Sequence, residues 1–259
     1  MATMIDNEQS ATPIDCQLQS PLFNVLPGEI RNEIFALALV QFEDDENAYP
    51  VDSYWRRPGF SGPYKSSSSL LQTRKRAHLE GQKGWSGDGA FDRFFDTLTP
   101  QQSEVLQYVR LFTQMFWLED GSCLNRLFRH PNFRPAKLTM TIRYSDWWFW
   151  EDDEPLRMSE YWLAQFCGSP GLRELKVEYE TVSRKKKEMM KIVERNKKWR
   201  LAIEGEDGPL SAEGTSLVEW KWTGMSRFEG REWLHHGGAD TMEYVVVTDT
   251  WRYLDLPTG

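Results

Sequence analysis

Apolar and polar residues alternate with a period of two in several stretches after residue 104. In 137–144, Leu138, Met140, Ile142 and Tyr144 share one face, with Thr139, Thr141 and Arg143 on the other. In 172–180, Leu175, Val177 and Tyr179 point one way, while Glu174, Lys176, Glu178 and Glu180 point the other. Val218, Trp220 and Trp222 repeat the pattern in 217–222, and 109–118 (VRLFTQMFWL) is rich in strand formers. This spacing is that of β-strands with one covered face. The run 242–251 (MEYVVVTDTW) is apolar on both faces in its middle, which predicts a strand covered on both sides.

Helical spacing lies between these runs. It is found in 124–130, in 156–168 with Leu156, Leu163 and Phe166 to bury, and in 183–203. In the last, Met189, Ile192, Asn196, Trp199 and Ile203 recur at steps of three and four. The expectation is a helix over 183–203 that packs this stripe on the sheet, turns its lysines to solvent and joins strands 172–180 and 217–222. Alternating strands and helices predict an α/β fold whose sheet is mixed, largely parallel and linked by crossover helices. The Leu-x-x-Leu-x-Val core of LRELKVEY is the one feature of the leucine-rich-repeat kind.

The N-terminal third has a different pattern. Residues 1–20 are polar, carry neither an apolar core nor an Arg-rich amphipathic pattern of a targeting segment, and are expected to be disordered. Helical spacing returns at 27–40, where Pro27 suits the first helical position and Leu26, Ile30, Ile34 and Leu37, widened by Phe35 and Ala38, form one apolar stripe. Residues 41–69 read as a long polar loop, an insertion or hinge, with five acids and no base between Glu43 and Asp52. Short helices are expected at 68–80 and 90–100. The predicted organisation is therefore a disordered 1–20, a helical module at 21–100 interrupted by the insertion at about 41–69, and an α/β sheet domain at 101–259.

The 259 residues carry a net charge of −8 and 12 tryptophans. The aromatic wealth argues against a disordered chain, and the charge argues against a surface built for nucleic acid. The longest apolar stretch, 34–40, is too short to span a bilayer, so an intracellular protein without membrane contact is expected. The segment 184–200 holds nine bases and two acids, a net +7 that leaves −15 for the rest of a chain totalling −8. It reads either as the solvated back of a crossover helix or as a phosphate-binding surface.

No nucleotide-binding glycine motif or nucleophile elbow is present. Cys123 and Cys167 lack an activating neighbour and are read as packing residues. His235–His236 lack a third ligand at metal spacing. No catalytic residue, cofactor or metal is therefore expected. The acidic run 151–154 follows Trp147, Trp148, Phe149 and Trp150, and reads as a solvated loop beside packed aromatics rather than a carboxylate pair for sugar chemistry. A second functional reading, a small-ligand site or enzyme, rests on Trp117, Trp147, Trp148, Trp150, Trp220, Trp222 and Trp251 lying on or beside strands. Asp146, His235 and Arg143 are the groups that would converge there.

The run Leu26-Pro27-Gly28-Glu29-Ile30-Arg31-Asn32-Glu33-Ile34-Phe35 resembles the start of an F-box. With Ser20-Pro21-Leu22 before it and Ser69-Leu70-Leu71-Gln72-Thr73, Arg76 and Glu80 after it, the chain resembles the F-box-like proteins of filamentous fungi. FTQMFWLE, LTMTIRYSDWW and YVVVTDTWR extend that resemblance over residues 20–252. It implies N-terminal F-box-like helices and a non-enzymatic protein-interaction role, as in a substrate-recognition subunit of a cullin-type ubiquitin ligase. Leu26, Pro27, Ile30, Ile34, Phe35 and Leu37 would contact the Skp adaptor, and the sheet would recognise an unknown protein target. The alternative for the same stripe is packing against the chain's own sheet domain.

Overall fold

The computed structural model describes residues 42–65 and 106–254, with positions 25, 27, 30, 95, 96 and 103. Ten strands are described: β1 (Phe42–Glu43), β2 (Tyr64–Lys65), β3 (Tyr108–Phe112), β4 (Lys137–Ile142), β5 (Cys167–Gly168), β6 (Glu174–Val182), β7 (Arg200–Ile203), β8 (Leu210–Ser211), β9 (Val218–Met225) and β10 (Thr241–Tyr253); of these only β3, β4, β6, β9 and β10 fall in the runs that predict strands. The described α-helices are short: α1 (Met115–Glu119), α2 (Ser122–Arg129) and α3 (Lys186–Asn196).

Eight strands form one curled mixed sheet, a half-barrel, in the order β3-β4-β6-β10-β8-β7-β5, with β9 also on β10. Only β3–β4, β4–β6 and β5–β7 are parallel. The thirteen-residue β10 is antiparallel to β6 along one edge, and to β9 and then β8 along the other. The expected largely parallel sheet with crossover helices is thus corrected, because the longest strand makes only antiparallel ladders. Among the described residues no repeat of leucine-rich type is formed. Nor does the structure show F-box helices: within 21–100 the largest described piece, 42–65, is an irregular strap. The expected helices at 27–40, 68–80 and 90–100 lie outside the described residues except for positions 27, 30, 95 and 96.

Register assigns each sheet face. Leu138, Leu175 and Trp251 align, as do Met140, Val177 and Asp249, and Ile142, Tyr179 and Val247. This apolar face carries α3, which buries Met189, Ile192, Val193 and Asn196. The opposite face is polar, with Arg110, Thr139 and Lys176 in one row and Phe112, Thr141, Glu178 and Thr248 in the next. On it Arg110 Nη1 donates to Glu178 Oε2 at 2.7 Å, as does Thr141 Oγ1 at 2.8 Å.

The expected helix over 183–203 is shorter at both ends. Trp199 lies beyond its last turn and is half-buried, and Ile203 belongs to β7. It leads to β7, not to the strand at 217–222. Its bases are tied to acids elsewhere: Arg184 to Asp153 (2.7 Å), Lys186 to Glu219 (2.6 Å) and Arg195 to Glu160 (2.9 Å). Lys185 is not turned to solvent but buried.

The polar stretch 42–65 is closed at its base by β1–β2 and laid across the polar sheet face. At its tip Arg57-Pro58-Gly59-Phe60 makes a tight turn. Phe60 N–H donates to the Arg57 carbonyl at 2.8 Å, and Gly59 has φ +77°. Pro and Gly at the two central positions are what a type II turn requires. The turn directs Phe60 edge-on to Phe112 (4.9 Å between ring centres). Farther back, Tyr54 stacks on Phe228 at 4.9 Å, and the Gly230 N–H donates to Asp52 Oδ2 at 2.9 Å.

Candidate functional site

The end of β4 and the loops after it bring the sequence-predicted polar groups near one another, but into separate pairs. Asp146 accepts from Arg143 Nε (2.8 Å) and Nη2 (3.0 Å) and from the Arg143 backbone N–H (2.9 Å). Both side chains are buried. The same guanidinium donates to the Tyr54 carbonyl at 3.3 Å and lies 4.3 Å from the Trp55 ring. Arg143 therefore clamps the strap to the sheet, and its carboxylate partner is fully engaged.

His235 and His236 do not form a metal pair. Both Nε2 atoms converge on the Tyr144 hydroxyl, at 3.3 Å and 3.0 Å. His236 Nδ1 contacts the Ser226 carbonyl, which can only accept, so Nδ1 carries the proton and Nε2 accepts from Tyr144. His235 Nε2–H then donates to the phenol oxygen. The result is a one-way chain from His235 through Tyr144 and His236 to Ser226. Burial lowers both imidazoles below the usual histidine range. For His235, Arg184 and Lys185 reinforce burial against the pull of Asp153; for His236, the Ser226 contact opposes it. Burial also raises the Tyr144 phenol, so all three groups are neutral near pH 7.

Within the aromatic run after β4, Trp147 and Trp150 belong to the core, Trp148 is half-buried and Phe149 is exposed. Trp147 is buried and donates from Nε1 to the Glu180 carbonyl at 2.8 Å. Trp150 is buried against Trp233, 4.6 Å away between ring centres. Trp251 is fully buried beneath α3's side of the sheet. A cavity of about 160 Å³ beside Trp55 and Arg143 includes Trp117 in its wall, and a larger one beneath the strap includes Trp222. Each holds just one of the seven tryptophans expected to line a pocket.

Arg57, buried at the tip of the strap, is not marked out by the sequence pattern. It lies within the polar stretch as one of several charged positions, and only the Pro-Gly that follows signals a fixed turn. Of the predicted partner-binding positions, Pro27 and Ile30 are exposed, Ile30 by 43 %. Leu26, Ile34, Phe35 and Leu37 lie outside the described residues. Cys123 is half-buried and Cys167 exposed; both are free thiols. Among the described residues no group of three or more His, Cys, Asp or Glu side chains could hold a metal ion, and no helix is long and apolar enough to cross a membrane. Comparisons with protein-family models, with curated proteins and with solved structures give no match.

Proposed function

We propose that this chain is a non-enzymatic protein-interaction protein of the cytoplasm or nucleus. Its segment 26–37 engages an adaptor of the Skp kind, and its curled sheet presents a surface to a second protein, in the manner of a substrate-recognition subunit of a cullin-type ubiquitin ligase. The observation that carries this reading is Ile30. A large aliphatic side chain in the run Leu26-Pro27-x-Glu29-Ile30 is 43 % exposed, with Pro27 exposed beside it. Packing of the stripe on the chain's own sheet would instead favour burial of that residue. Isolated exposed apolar residues are ordinary, so the weight comes from their place in the F-box-like run. The ionisable pairs of the sheet domain also support the reading, since Arg143–Asp146 and Arg110–Glu178 are occupied in joining elements.

The test is retention of a purified Skp adaptor by the immobilised full chain at micromolar concentration. Retention is expected, together with at least a tenfold weakening in Ile30→Asp, about 1.4 kcal/mol. No retention, or equal binding by an Ile30→Asp protein of unchanged melting temperature, overturns the proposal.

A further inference from the structure

Arg57 has the largest unmet polar demand among the described residues. It is 4 % exposed, and its guanidinium carbon lies 5.8 Å from the Trp220 ring centre and 5.9 Å from those of Phe60 and Phe112. Nη2 faces Glu180 and Glu178 at 3.5 and 3.8 Å, at or beyond the limit of a hydrogen bond. Nε and Nη1 are buried with no hydrogen-bond partner. Guanidinium protons can only donate, so these atoms need an acceptor that the described residues do not supply.

The two glutamates do not meet that need because they are engaged elsewhere. Glu178 accepts from Arg110 and Thr141. Glu180 accepts from Trp222 Nε1 (3.2 Å) and from the Tyr144 backbone N–H (3.3 Å). Arg57 and Arg110 balance these two carboxylates, which leaves the rim arginine, Arg56, as uncompensated positive charge.

Arg56 and Arg57 border a cavity of about 380 Å³ between the strap and the β9–β10 end of the sheet. Its wall contains no carboxylate. It includes the hydroxyl residues Ser53 and Thr241 and the aromatic surfaces of Trp222 and Phe228. The volume falls within the range of small-molecule sites, and the unused donors of Arg57 together with the uncompensated charge of Arg56, beside aromatic walls, suit an anion with an apolar body.

We propose that this cavity binds a small organic carboxylate. Its oxygens accept from Arg57 and Arg56, and its hydrocarbon portion packs on Trp222 and Phe228. The site is separate from the 26–37 segment, so it stands or falls independently of adaptor binding.

Calorimetric titration of the full chain with phenylacetate, phenylacetamide and inorganic phosphate tests this directly. Saturable binding of phenylacetate is expected, with the amide at least tenfold weaker because it offers one neutral acceptor in place of a charged pair. Arg57→Met and Arg56→Gln should each weaken phenylacetate at least several-fold. Arg56 is exposed, so its variant decides the matter if Arg57→Met does not fold. Equal affinity for acid and amide overturns the proposal. So does absence of saturable binding up to about 10 mM, binding of phosphate that phenylacetate does not displace, or unchanged phenylacetate affinity in both arginine variants.

Discussion

Lys185 Nζ lies 2.9 Å from Asp153 Oδ1 and donates to the Asp153 carbonyl at 2.8 Å and to the Glu154 carbonyl. One ammonium thus fastens the loop after β4 to the start of α3. The three lysines 185–187 look equivalent in sequence, but only Lys185 is enclosed. Lys185→Gln should cost about 2 kcal/mol, because it leaves three acceptors short of a donor. Lys186→Gln and Lys187→Gln should each change stability by less than about 0.5 kcal/mol. Urea unfolding of the three single variants separates them. Burial alone would raise Asp153, but bonds from Lys185 and Arg184 outweigh it and hold the acid below the usual carboxylate range. Its contribution is therefore present above about pH 4 and lost as pH falls through the lowered value.

The histidine–tyrosine chain predicts a second pH dependence, at higher pH. His235 and His236 bind protons less readily in the folded chain than in the unfolded one. Stability from their neutral forms is complete above about 6.5 and declines as pH falls below it, by about 1.4 kcal/mol for each tenfold loss of proton affinity. Melting temperatures from pH 8 to 5 should show this decline. It should flatten in the His235→Asn, His236→Asn double variant; an unchanged slope would place the titrating group elsewhere.

Asp249 sits on the apolar face of β10, in register with Val177. Oδ1 accepts the Thr250 N–H at 2.9 Å, and Oδ2 is buried without a hydrogen-bond partner. Burial raises its proton affinity, against smaller opposing effects of Thr250 and Lys197. Its contribution is full below the unfolded value near 3.9 and is lost as pH rises through the folded one. The charged form is therefore a cost at neutral pH. Asp249→Asn should stabilise the protein by about 1–3 kcal/mol at pH 7, and the gain should shrink as pH approaches 4. A urea midpoint unchanged at pH 7 would contradict this.

Trp251, not Trp199, is the aromatic anchor under α3. The two rings stack with centres 6.3 Å apart, but Trp251 is fully buried while Trp199 is half-buried. Trp251→Ala should cost about 3–5 kcal/mol, and Trp199→Ala about 1–2 kcal/mol. Equal losses in urea unfolding would mean that Trp199 carries more of the packing than its exposure indicates.

Strand positions were legible where period two was unambiguous. Leu138, Met140 and Ile142 in β4 and Leu175, Val177 and Tyr179 in β6 are all buried as their alternation required. In β9 the alternation gave the strand but not a covered face: Val218 is 58 % exposed, and Trp220 and Trp222 are half-buried. Other errors fall where one run satisfies two periods. Trp199 and Ile203 continue a helical stripe, yet Leu201 and Ile203 also alternate, and pairing with β8 selects the strand. After Phe112 the strand-rich run turns instead into α1, which buries Met115, Trp117 and Leu118. In 156–168 the expected helix is replaced by a short 3-10 turn at Tyr161–Gln165 and by β5 at Cys167–Gly168. Strand order was not legible, because nothing local to β10 states that it separates β6 from β9. The Tyr144 chain and the Arg57 cavity were hidden for the same reason: each joins residues about 90 or more positions apart in sequence.

The position of β10 has a kinetic consequence. It follows every other described strand along the chain, yet it alone joins the parallel block β3-β4-β6 to β8 and β9. During synthesis, the ladder edge of β6 must therefore wait for the last part of the sheet to emerge. The chain before Thr241 cannot complete its sheet alone, and folding is governed by closure of long loops. Until β10 docks, the nascent protein carries an open, hydrogen-bond-hungry strand edge, the form in which chains of this kind are most vulnerable to mispairing.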